Sequence, residues 1–522
     1  MSNAHAIEYP RRSGILLHPT SLPGRYGIGD LGDDAFRWID TLARAKQTLW
    51  QVLPLGPTGF GDSPYQCFSA MAGNPYLVSP DRLFEDGLLT RADLDAAPRF
   101  PDDHVDFGPV IDFKLRVLDA AYARYRAGES RLLDDYRRFR EEHAVWLDDF
   151  ALFMALKQSY GGRPWTEWDP KLAKRETTAL DEAHRNLLDD VEAQRFRQFL
   201  FFRQWHAVRD SAHAEGIQII GDIPIFVAHD SADVWAHREL FKLDDDGRPT
   251  VVAGVPPDYF AKTGQLWGNP IYRWGQHAAN GFEWWIQRIR ATLELVDLVR
   301  LDHFRGFEAY YEVAADAPTA EHGRWIKGPG SLFFDSVRGM LGNLPLLAED
   351  LGHITPGVYK LRDKYELPGM KILQFGFGDG PEHEFLPHNF PHHCVAYTGS
   401  HDNEPARAWY ENAQEHERDH ARRYLQCDDT GFTWELIRSA QSCVAHTAIA
   451  QLQDVLELGA DARMNLPGRP AGNWSWRFRW EQLESWRVER MAELAEVYGR
   501  APGAYETPEA REHAEAVEEA GR

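Results

Sequence analysis

The sequence is poor in the features that mark membrane and disulfide-linked proteins. No apolar run approaches the roughly 20 residues needed to span a bilayer, and the opening stretch, MSNAHAIEYPRRSG, lacks the apolar segment of a secretory signal. Only 4 of the 522 residues are cysteine, scattered without CxxC spacing, which argues against a disulfide framework or a zinc ribbon. We therefore expect a cytoplasmic protein with reduced thiols.

Cationic charge is also scarce. The chain has 57 Lys and Arg against 80 Asp and Glu, a formal net charge of −23. Binding to nucleic acid or to anionic membranes depends on cationic contacts, so the composition argues against both partners but not against a neutral ligand. Tryptophan, in contrast, is plentiful, with 18 residues. Most of these must pack in the core, but their number also suits a protein that stacks rings against sugars.

Short apolar runs alternate with longer helical stretches, which is the pattern of βα units around a parallel sheet. Polar or Gly- and Pro-rich residues follow each run, as in a barrel whose binding groups come from the C-terminal ends of its strands. We therefore predict an α/β fold, a (β/α)₈ TIM barrel. The eight candidate strands are residues 14–17, 49–53, 218–223, 298–302, 346–349, 370–374, 394–398 and 462–464.

The uneven spacing of these strands indicates insertions. We predict one catalytic barrel over residues 1–500, with an insertion at 55–217 between the second and third strands and another at 228–290 between the third and fourth. Both are expected to form subdomains over the C-terminal face of the barrel. Residues 501–522 are acidic and rich in alanine, so we expect a peripheral tail there.

The segment that carries most information is DLVRLDHFRG, residues 297–306. Residues 300 and 302 project to the same side of a strand, so the guanidinium of Arg300 can lie beside the carboxylate of Asp302. A neighbouring positive charge favours an ionised aspartate, as a carboxylate nucleophile requires. A structural Arg–Asp pair closing the strand end would explain this segment equally well.

Two further acids follow apolar strands. Glu349 ends the run LPLLAE, where loss of solvation raises a glutamate pKa towards the range of a general acid. The next residue, Asp350, fits a helix cap or a surface turn better. Asp402 lies in the polar stretch after residues 394–398. Three acids at three strand ends meet only if the sheet closes, and they would then form a glycosidase-type site.

Two other motifs are weaker. Gly27, Gly29 and Gly32 satisfy GxGxxG, but a dinucleotide site would need this motif directly after a strand, with an acidic residue about 20 positions later. Neither condition is met, so an oxidoreductase reading is disfavoured. A metal site built from His392, His393 and His401 lacks a recognised ligand spacing. We expect neither a cofactor nor a catalytic metal.

From about residue 13 to 477 the sequence closely resembles the amylomaltase or disproportionating-enzyme family, the 4-α-glucanotransferases of glycoside hydrolase family 77, which belong to the α-amylase superfamily. One position departs from the family pattern, because Ala261 stands where a serine is expected. Besides the three acidic segments, the resemblance rests on GILLHPTSLPG (14–24), WQVLPLGPT (50–58), SPY (63–65), GDIPI (221–225), GVPPDYF (254–260), GQLWGNP (264–270), RMNLPG (463–468) and NWSW (473–476).

The resemblance implies a retaining transferase with Asp302 as nucleophile, Glu349 as acid/base and Asp402 as transition-state stabiliser. It implies that residues 228–290 carry an active-site loop and that no β-sandwich follows the barrel. The expected substrates are maltooligosaccharides and glucans derived from starch or glycogen. The substrate-binding residues it implies are Ser63, Tyr65, Asp222, Asp258, Gln265, Trp267, Arg300, His401 and Asn473.

Two alternatives remain open. The first is an α-1,4-glucan hydrolase of the same superfamily, which would share the acids but transfer to water. The second is a non-catalytic glucan-binding protein, which would keep the aromatic residues but could lose the acids. Several of the expected binding residues also lie among Gly and Pro, where loop architecture alone would explain them.

Overall fold

The computed structural model describes residues 10–128, 132–257, 262–469 and 471–503. Within these ranges the strands are β1 (Arg12–Leu16), β2 (Leu49–Gln51), β3 (Gln218–Ile223), β4 (Val251–Val255), β5 (Gln265–Pro270), β6 (Leu298–Leu301), β7 (Ala309–Ala314), β8 (Gly323–Lys327), β9 (Leu346–Ala348), β10 (Gly369–Ile372), β11 (Cys394–Tyr397) and β12 (Thr447–Gln451).

The α-helices in the same ranges are α1 (Asp33–Arg44), α2 (Pro80–Glu85), α3 (Arg91–Asp95), α4 (Phe107–Arg126), α5 (Leu133–Ser159), α6 (Pro170–Ala173), α7 (Thr177–Asn186), α8 (Leu188–Ala214), α9 (Ala232–Ala236), α10 (Trp274–Ala279), α11 (Glu283–Leu295), α12 (Ser331–Leu341), α13 (Pro356–Lys364), α14 (Ala406–Asn412), α15 (Glu415–Leu425), α16 (Phe432–Ser442), α17 (Leu452–Val455) and α18 (Ser485–Val497). Among the described residues, none of these helices is both long and apolar enough to cross a membrane.

Eight parallel strands close into a barrel in the order β1, β12, β11, β10, β9, β6, β3, β2. Their residues are almost entirely buried, because helices cover the outside and side chains fill the inside. This confirms the predicted α/β barrel. After β12, the described residues up to 503 form short turns and the helices α17 and α18 rather than a β-sandwich.

The eighth predicted strand was wrong. Residues 460–462 form a 3₁₀ turn, and the strand that closes the barrel is β12, with the sequence TAIAQ. Alanine and glutamine have little strand preference of their own, so this segment does not stand out in the sequence. Its position is decided by pairing with β1 on one side and β11 on the other, and these contacts are distant along the chain.

A second, four-stranded antiparallel sheet lies outside the barrel, in the order β5, β4, β7, β8. Its first two strands fall between the barrel strands β3 and β6. Residues 55–217 hold the helices α2 to α8, of which the long helices α5 and α8 pack against each other. Helix α8 also contacts α1 and β3, so it forms part of the barrel wall.

Arg500 links β1 and β12, the first and last barrel strands, at the seam where they pair and close the barrel. Its side chain is fully buried and donates to five backbone carbonyls, those of Arg12, Gln441, Cys443, Ala445 and His446, at 2.7–3.2 Å. Arg12 and His446 lie at the N-terminal ends of β1 and β12, opposite the polar strand ends, and the other three carbonyls belong to the end of α16 and the turn that leads into β12. One guanidinium therefore satisfies acceptors from both sides of the seam.

Replacing Arg500 with alanine should lower the free energy of unfolding by roughly 2–4 kcal/mol, because several buried carbonyls lose their donors together. Urea denaturation followed by circular dichroism measures this. The matched control is Arg490→Ala on α18, where the arginine is an exposed partner of Glu493 and its loss should cost less than about 1 kcal/mol. Equal effects of the two substitutions would contradict the role given to Arg500.

Candidate active site

Asp302 and Glu349 follow neighbouring strands of the barrel. Leu301 at the end of β6 pairs with Ala348 at the end of β9, so the two acids occupy the next step of the same register. Their backbones are fixed there, because the Glu349 amide donates to the Leu301 carbonyl at 3.1 Å and the Asp302 amide to the Ile223 carbonyl at 3.0 Å. Both acids therefore lie at the C-terminal mouth of the barrel.

Arg300 is the cation at the centre of this site. Its Nη1 lies 2.5 Å from Oδ2 of Asp222 and 3.0 Å from Oδ1 of Asp302. The hydroxyl of Tyr65 donates to the same Oδ2 of Asp222 at 2.7 Å. Burial alone would lower the pKa of the Arg300 guanidinium, but the carboxylates around it raise that pKa well above its usual value.

Asp222 differs from the other acids in its exposure. Its side chain has no solvent-accessible surface, and burial raises its pKa to about 7 although Arg300 opposes the shift. Through its Oδ2, Asp222 holds the side chains of both Arg300 and Tyr65. Its expected contact with substrate stays a prediction.

Glu349 is held by its own loop. Its Oε2 accepts the His303 amide at 2.8 Å and its Oε1 accepts the Leu351 amide at 2.9 Å. Burial raises the pKa of Glu349 to about 8, with Arg300 opposing the shift and the charge of Asp302 adding to it. Because burial outweighs the attraction of Arg300, Glu349 keeps its proton at neutral pH.

His303, which directly follows Asp302 and donates its amide to Glu349, adopts a strained backbone conformation. Its φ of 49° and ψ of 51° place a residue with a bulky side chain in the left-handed region, which costs about 1 kcal/mol or more and persists only where the surroundings impose it. This turn directs the His303 amide at Glu349. Trp267 on β5 packs edge-on against the His303 ring at 4.8 Å, so the second sheet contacts the turn after β6 here.

An aromatic wall forms another side of the site. The rings of Tyr65 and His401 stack at 5.0 Å, and Trp474 lies 5.6 Å from each. Asp402 stands beside this wall, with its Oδ2 3.4 Å from Nε2 of His401 and its Oδ1 accepting a bond of 2.6 Å from Asn465. The Asp402 side chain is 43% exposed, so it remains accessible to a ligand.

The other predicted binding residues in the described part of the chain form hydrogen bonds with their own loops or strands. Ser63 accepts the Tyr65 amide through its hydroxyl at 3.2 Å and so shapes the loop that presents Tyr65. Gln265 accepts the indole N–H of Trp267 at 3.2 Å. The amide of Asn473 is used within its own loop, on Leu466 and Arg469. Asp258 lies outside the described residues, as does Ala261.

Three residues at the site were not singled out from the sequence. These are Trp474, Asn465 and His303, which contact the acids or the aromatic wall. Trp474 and Asn465 lie in segments that resemble the family, and the position of Asn465 beside Met464 gave no chemical signal of its own. The φ of 63° at Trp474 belongs to the folded chain alone, so no sequence pattern would have revealed it.

The structure also explains the GxGxxG motif and the three histidines considered as a metal site. A Cβ on Gly29 would lie 2.0 Å from the carbonyl oxygen of Pro19, and one on Gly27 would lie 2.5 Å from the Phe100 ring. These glycines are therefore needed for close packing of the loop before α1. His392 and His393 precede β11 whereas His401 follows it, so opposite ends of one strand keep them apart.

Comparison with known proteins identifies the family. A sequence profile described as 4-alpha-glucanotransferase matches residues 17–483. The chain is 51% identical over 505 residues to the 4-alpha-glucanotransferase of Thermus thermophilus, covering 95% of this chain and 100% of that protein. The chain belongs to the 4-α-glucanotransferase family. The family member from Synechocystis is 50% identical over 495 residues, covering 94% of this chain and 98% of its own.

A solved structure agrees with this assignment. The amylomaltase from Streptococcus agalactiae in complex with acarbose superposes with a TM-score of 0.92 at 39% identity, covering 94% of this chain and 100% of that one. As a member of the 4-α-glucanotransferase family, the chain is a transglycosidase, so the non-catalytic alternative is set aside.

The buried proton of Glu349 predicts a pH-dependent effect of Glu349→Gln on stability. Because the pKa of Glu349 in the folded protein, about 8, lies above the ordinary glutamate value of 4.5, the contribution of Glu349 to stability is complete below pH 4.5 and is lost as the pH rises through 8. Glutamine removes this loss. Between pH 5 and pH 9 the free energy of unfolding of the variant should rise by at least about 2 kcal/mol relative to that of the parent protein, since one pKa unit corresponds to about 1.4 kcal/mol.

Urea denaturation at both pH values measures this difference. Glu312→Gln is the matched control, because Glu312 is also buried but Lys242 and Arg324 outweigh burial and lower its pKa. Its substitution should therefore destabilise the protein more at neutral pH than under acidic conditions. A Glu349→Gln variant with the same relative stability at both pH values would show that Glu349 is ionised in the folded protein.

Proposed function

We propose that this enzyme transfers α-1,4-glucan segments with retention of configuration, through a covalent glucosyl-enzyme. The donor is a maltooligosaccharide or a longer glucan, and the acceptor is the 4-hydroxyl of glucose or of another glucan. The observation that supports this most directly is the pair of acids on β6 and β9, one beside Arg300 and the other buried with its proton. These are the two states that a nucleophile and a general acid need.

In the first half of the reaction, Glu349 donates its proton to the glycosidic oxygen while a carboxylate oxygen of Asp302 attacks the anomeric carbon. The bond between that carbon and the glycosidic oxygen breaks, and the shortened glucan leaves with a free hydroxyl. An ester now joins Asp302 to the remaining segment. Retaining chemistry of this kind places the two carboxyl groups about 5–5.5 Å apart.

In the second half, ionised Glu349 removes the proton from the acceptor hydroxyl. The acceptor oxygen attacks the anomeric carbon, Asp302 departs as a carboxylate, and Glu349 is protonated again. Asp402 accepts hydrogen bonds from hydroxyls of the distorted ring. Arg300 and His401 hold charge and position around it, while Asp222 acts through Arg300.

Transfer requires that a sugar acceptor competes with water. Tyr65 and Trp267 are partly exposed and offer ring surface to sugars, while the buried rings of His401 and Trp474 pack against Tyr65 and hold it in place. A positioned hydroxyl reaches effective molarities of about 10⁵ M or more, well above the concentration of bulk water. We propose that residues 228–290, which include β4 and β5, cover the cleft. We also propose that residues 55–217 carry the other inserted subdomain, apart from helix α8, which belongs to the barrel wall.

Asp302→Asn should lower turnover of maltotriose by at least about 10³-fold, because the amide cannot form the ester. The parent enzyme should convert maltotriose into glucose and longer oligomers without raising the number of reducing ends. Asp297→Asn is the matched control, since Asp297 precedes the same strand and its carboxylate binds His213 and the Ile219 amide, at the far end from the cleft. This variant should keep most of its activity.

Near-normal transfer by Asp302→Asn would refute the assignment of the nucleophile. A rise in reducing ends without longer products would instead establish the hydrolase alternative. To test the covalent step, Glu349→Gln is given α-maltotriosyl fluoride, whose leaving group needs no proton. Mass spectrometry should then show a maltotriosyl adduct on the peptide that contains Asp302, and inverted product without an adduct would exclude retention.

The raised pKa of Glu349 also predicts the alkaline limb of the rate profile. For maltotriose, kcat/KM should fall about tenfold per pH unit above pH 8, because the free enzyme loses the proton that it must donate. With α-maltotriosyl fluoride as donor, the rate of the bond-breaking step should no longer fall above pH 8, because fluoride leaves without a proton. Initial rates of donor consumption between pH 5 and pH 10 measure both cases. An identical alkaline limb for the two donors would assign it to another group.

A further inference from the structure

The guanidinium of Arg300 makes one contact that the mechanism above does not use. Its Nε lies 3.3 Å from the sulfur of Met370 on β10, within hydrogen-bond distance for a sulfur acceptor. Both side chains are buried, and Met370 is 1% exposed. We propose that Met370 is a positioning residue for catalysis, which holds Arg300 in place as a neutral acceptor of its Nε–H. This inference rests on the proposed role of Arg300 beside Asp302.

The barrel explains why these two residues meet. Met370 lies on β10 and Arg300 on β6, with β9 between them in the sheet. Side chains that point into a barrel of this type form layers, each contributed by alternate strands. Arg300 and Met370 therefore share the interior just beneath the mouth. Glu349 follows the intervening strand, so the contact forms directly below the proposed acid/base.

A guanidinium is planar and sends its N–H groups in fixed directions. Nη1 of Arg300 is directed at Asp222 and Asp302, and with that orientation Nε faces the interior of the barrel. A buried N–H without an acceptor is costly, and the guanidinium would turn to satisfy it. The sulfur of Met370 accepts the Nε–H of Arg300, so the guanidinium keeps its orientation and its contact with Asp302.

The neutrality of the thioether matters because of the charges already present. Arg300 is faced by titratable groups from every side of the mouth, and a further carboxylate at position 370 would compete with Asp302 for the one cation. A thioether accepts the hydrogen bond without adding charge or water. The groups around Arg300 are Asp222 on β3, Asp302 after β6, Glu349 after β9, Tyr397 on β11, His401 after β11 and Tyr65 from the loop after β2.

The test compares three substitutions of Met370 and follows kcat, KM and the pH profile with maltotriose. Met370→Leu keeps the apolar volume but removes the acceptor, so kcat should fall about tenfold with KM nearly unchanged, because Arg300 is no longer fixed beside the reacting carboxylate. The alkaline limb should move to higher pH, since Arg300 then opposes the raised pKa of Glu349 less. Met370→Gln supplies a neutral oxygen acceptor and should restore kcat to within about threefold of the parent enzyme.

Met370→Glu is the third substitution, and it supplies an acceptor that carries charge. It should not restore activity, whereas a purely structural need for an acceptor would be met by either glutamine or glutamate. The matched control is Met491→Leu on α18, a methionine with 1% exposure outside the barrel, which should leave kcat and the pH profile unchanged. Thermal unfolding of each variant separates loss of fold from loss of rate.

If Met370→Leu does not fold, the methyl resonance of Met370 in protein labelled with [methyl-¹³C]methionine provides a second measurement. In the parent enzyme this resonance should shift with pH near 8, as Glu349 titrates, and the shift should vanish in Glu349→Gln. A pH-independent resonance would overturn the proposal. So would parent-like kcat in Met370→Leu, or equal rates for the leucine and glutamine variants. If Asp302→Asn is inactive while the Met370 variants behave like the parent enzyme, the Met370 proposal fails but the proposed nucleophile does not. The two proposals can therefore fail separately.

Discussion

A single buried cation surrounded by three carboxyl groups is the constraint from which the chemistry of this site follows. Arg300 contacts Asp222 and Asp302 directly, and Glu349 lies on the next strand. Burial raises the pKa of Asp222 to about 7 and that of Glu349 to about 8 although Arg300 opposes both shifts, so the cluster retains a proton near neutral pH. Glu349 has the higher pKa of the two: its carboxylate accepts two backbone amides, and among the described residues it forms no ion pair.

This charge arrangement depends on closure of the barrel. Asp222, Asp302 and Glu349 come from β3, β6 and β9, which are adjacent in the sheet although about 130 residues separate the first acid from the last along the chain. The same closure brings Tyr65 to Asp222 and forces His303 into a left-handed turn. The backbone strain at His303 is therefore stored where two acids must be held in fixed relation.

The sequence predicted the parts of the fold and site that have a local chemical signal. Strands β6 and β9 are apolar runs followed by an acid, so the sequence predicted both strands and the position of each acid at a strand end. The long matching segments indicated the family. Strand β12 has no such signal, because its alanines are buried only through pairing with β1 and β11. The sequence also left out Trp474 from the aromatic wall, since its contact with Tyr65 spans more than 400 residues of the chain. Whether Asp222 faces a sugar or stands behind Arg300 is a matter of burial, which spacing alone does not reveal.

Arg500 and the strand end at Arg12 bring the first and last described parts of the barrel together at the face opposite the cleft. The mouth that holds Asp302 and Glu349 and the meeting point of Arg12 and Arg500 thus lie at opposite ends of the barrel. A linker joining the segments at Arg12 and Arg500 would lie away from Asp302 and Glu349, so a circularly permuted protein, opened at an exposed loop elsewhere, keeps the entrance to the site open. By the same geometry, a solid support attached near Arg500 presents that entrance to the surrounding solution.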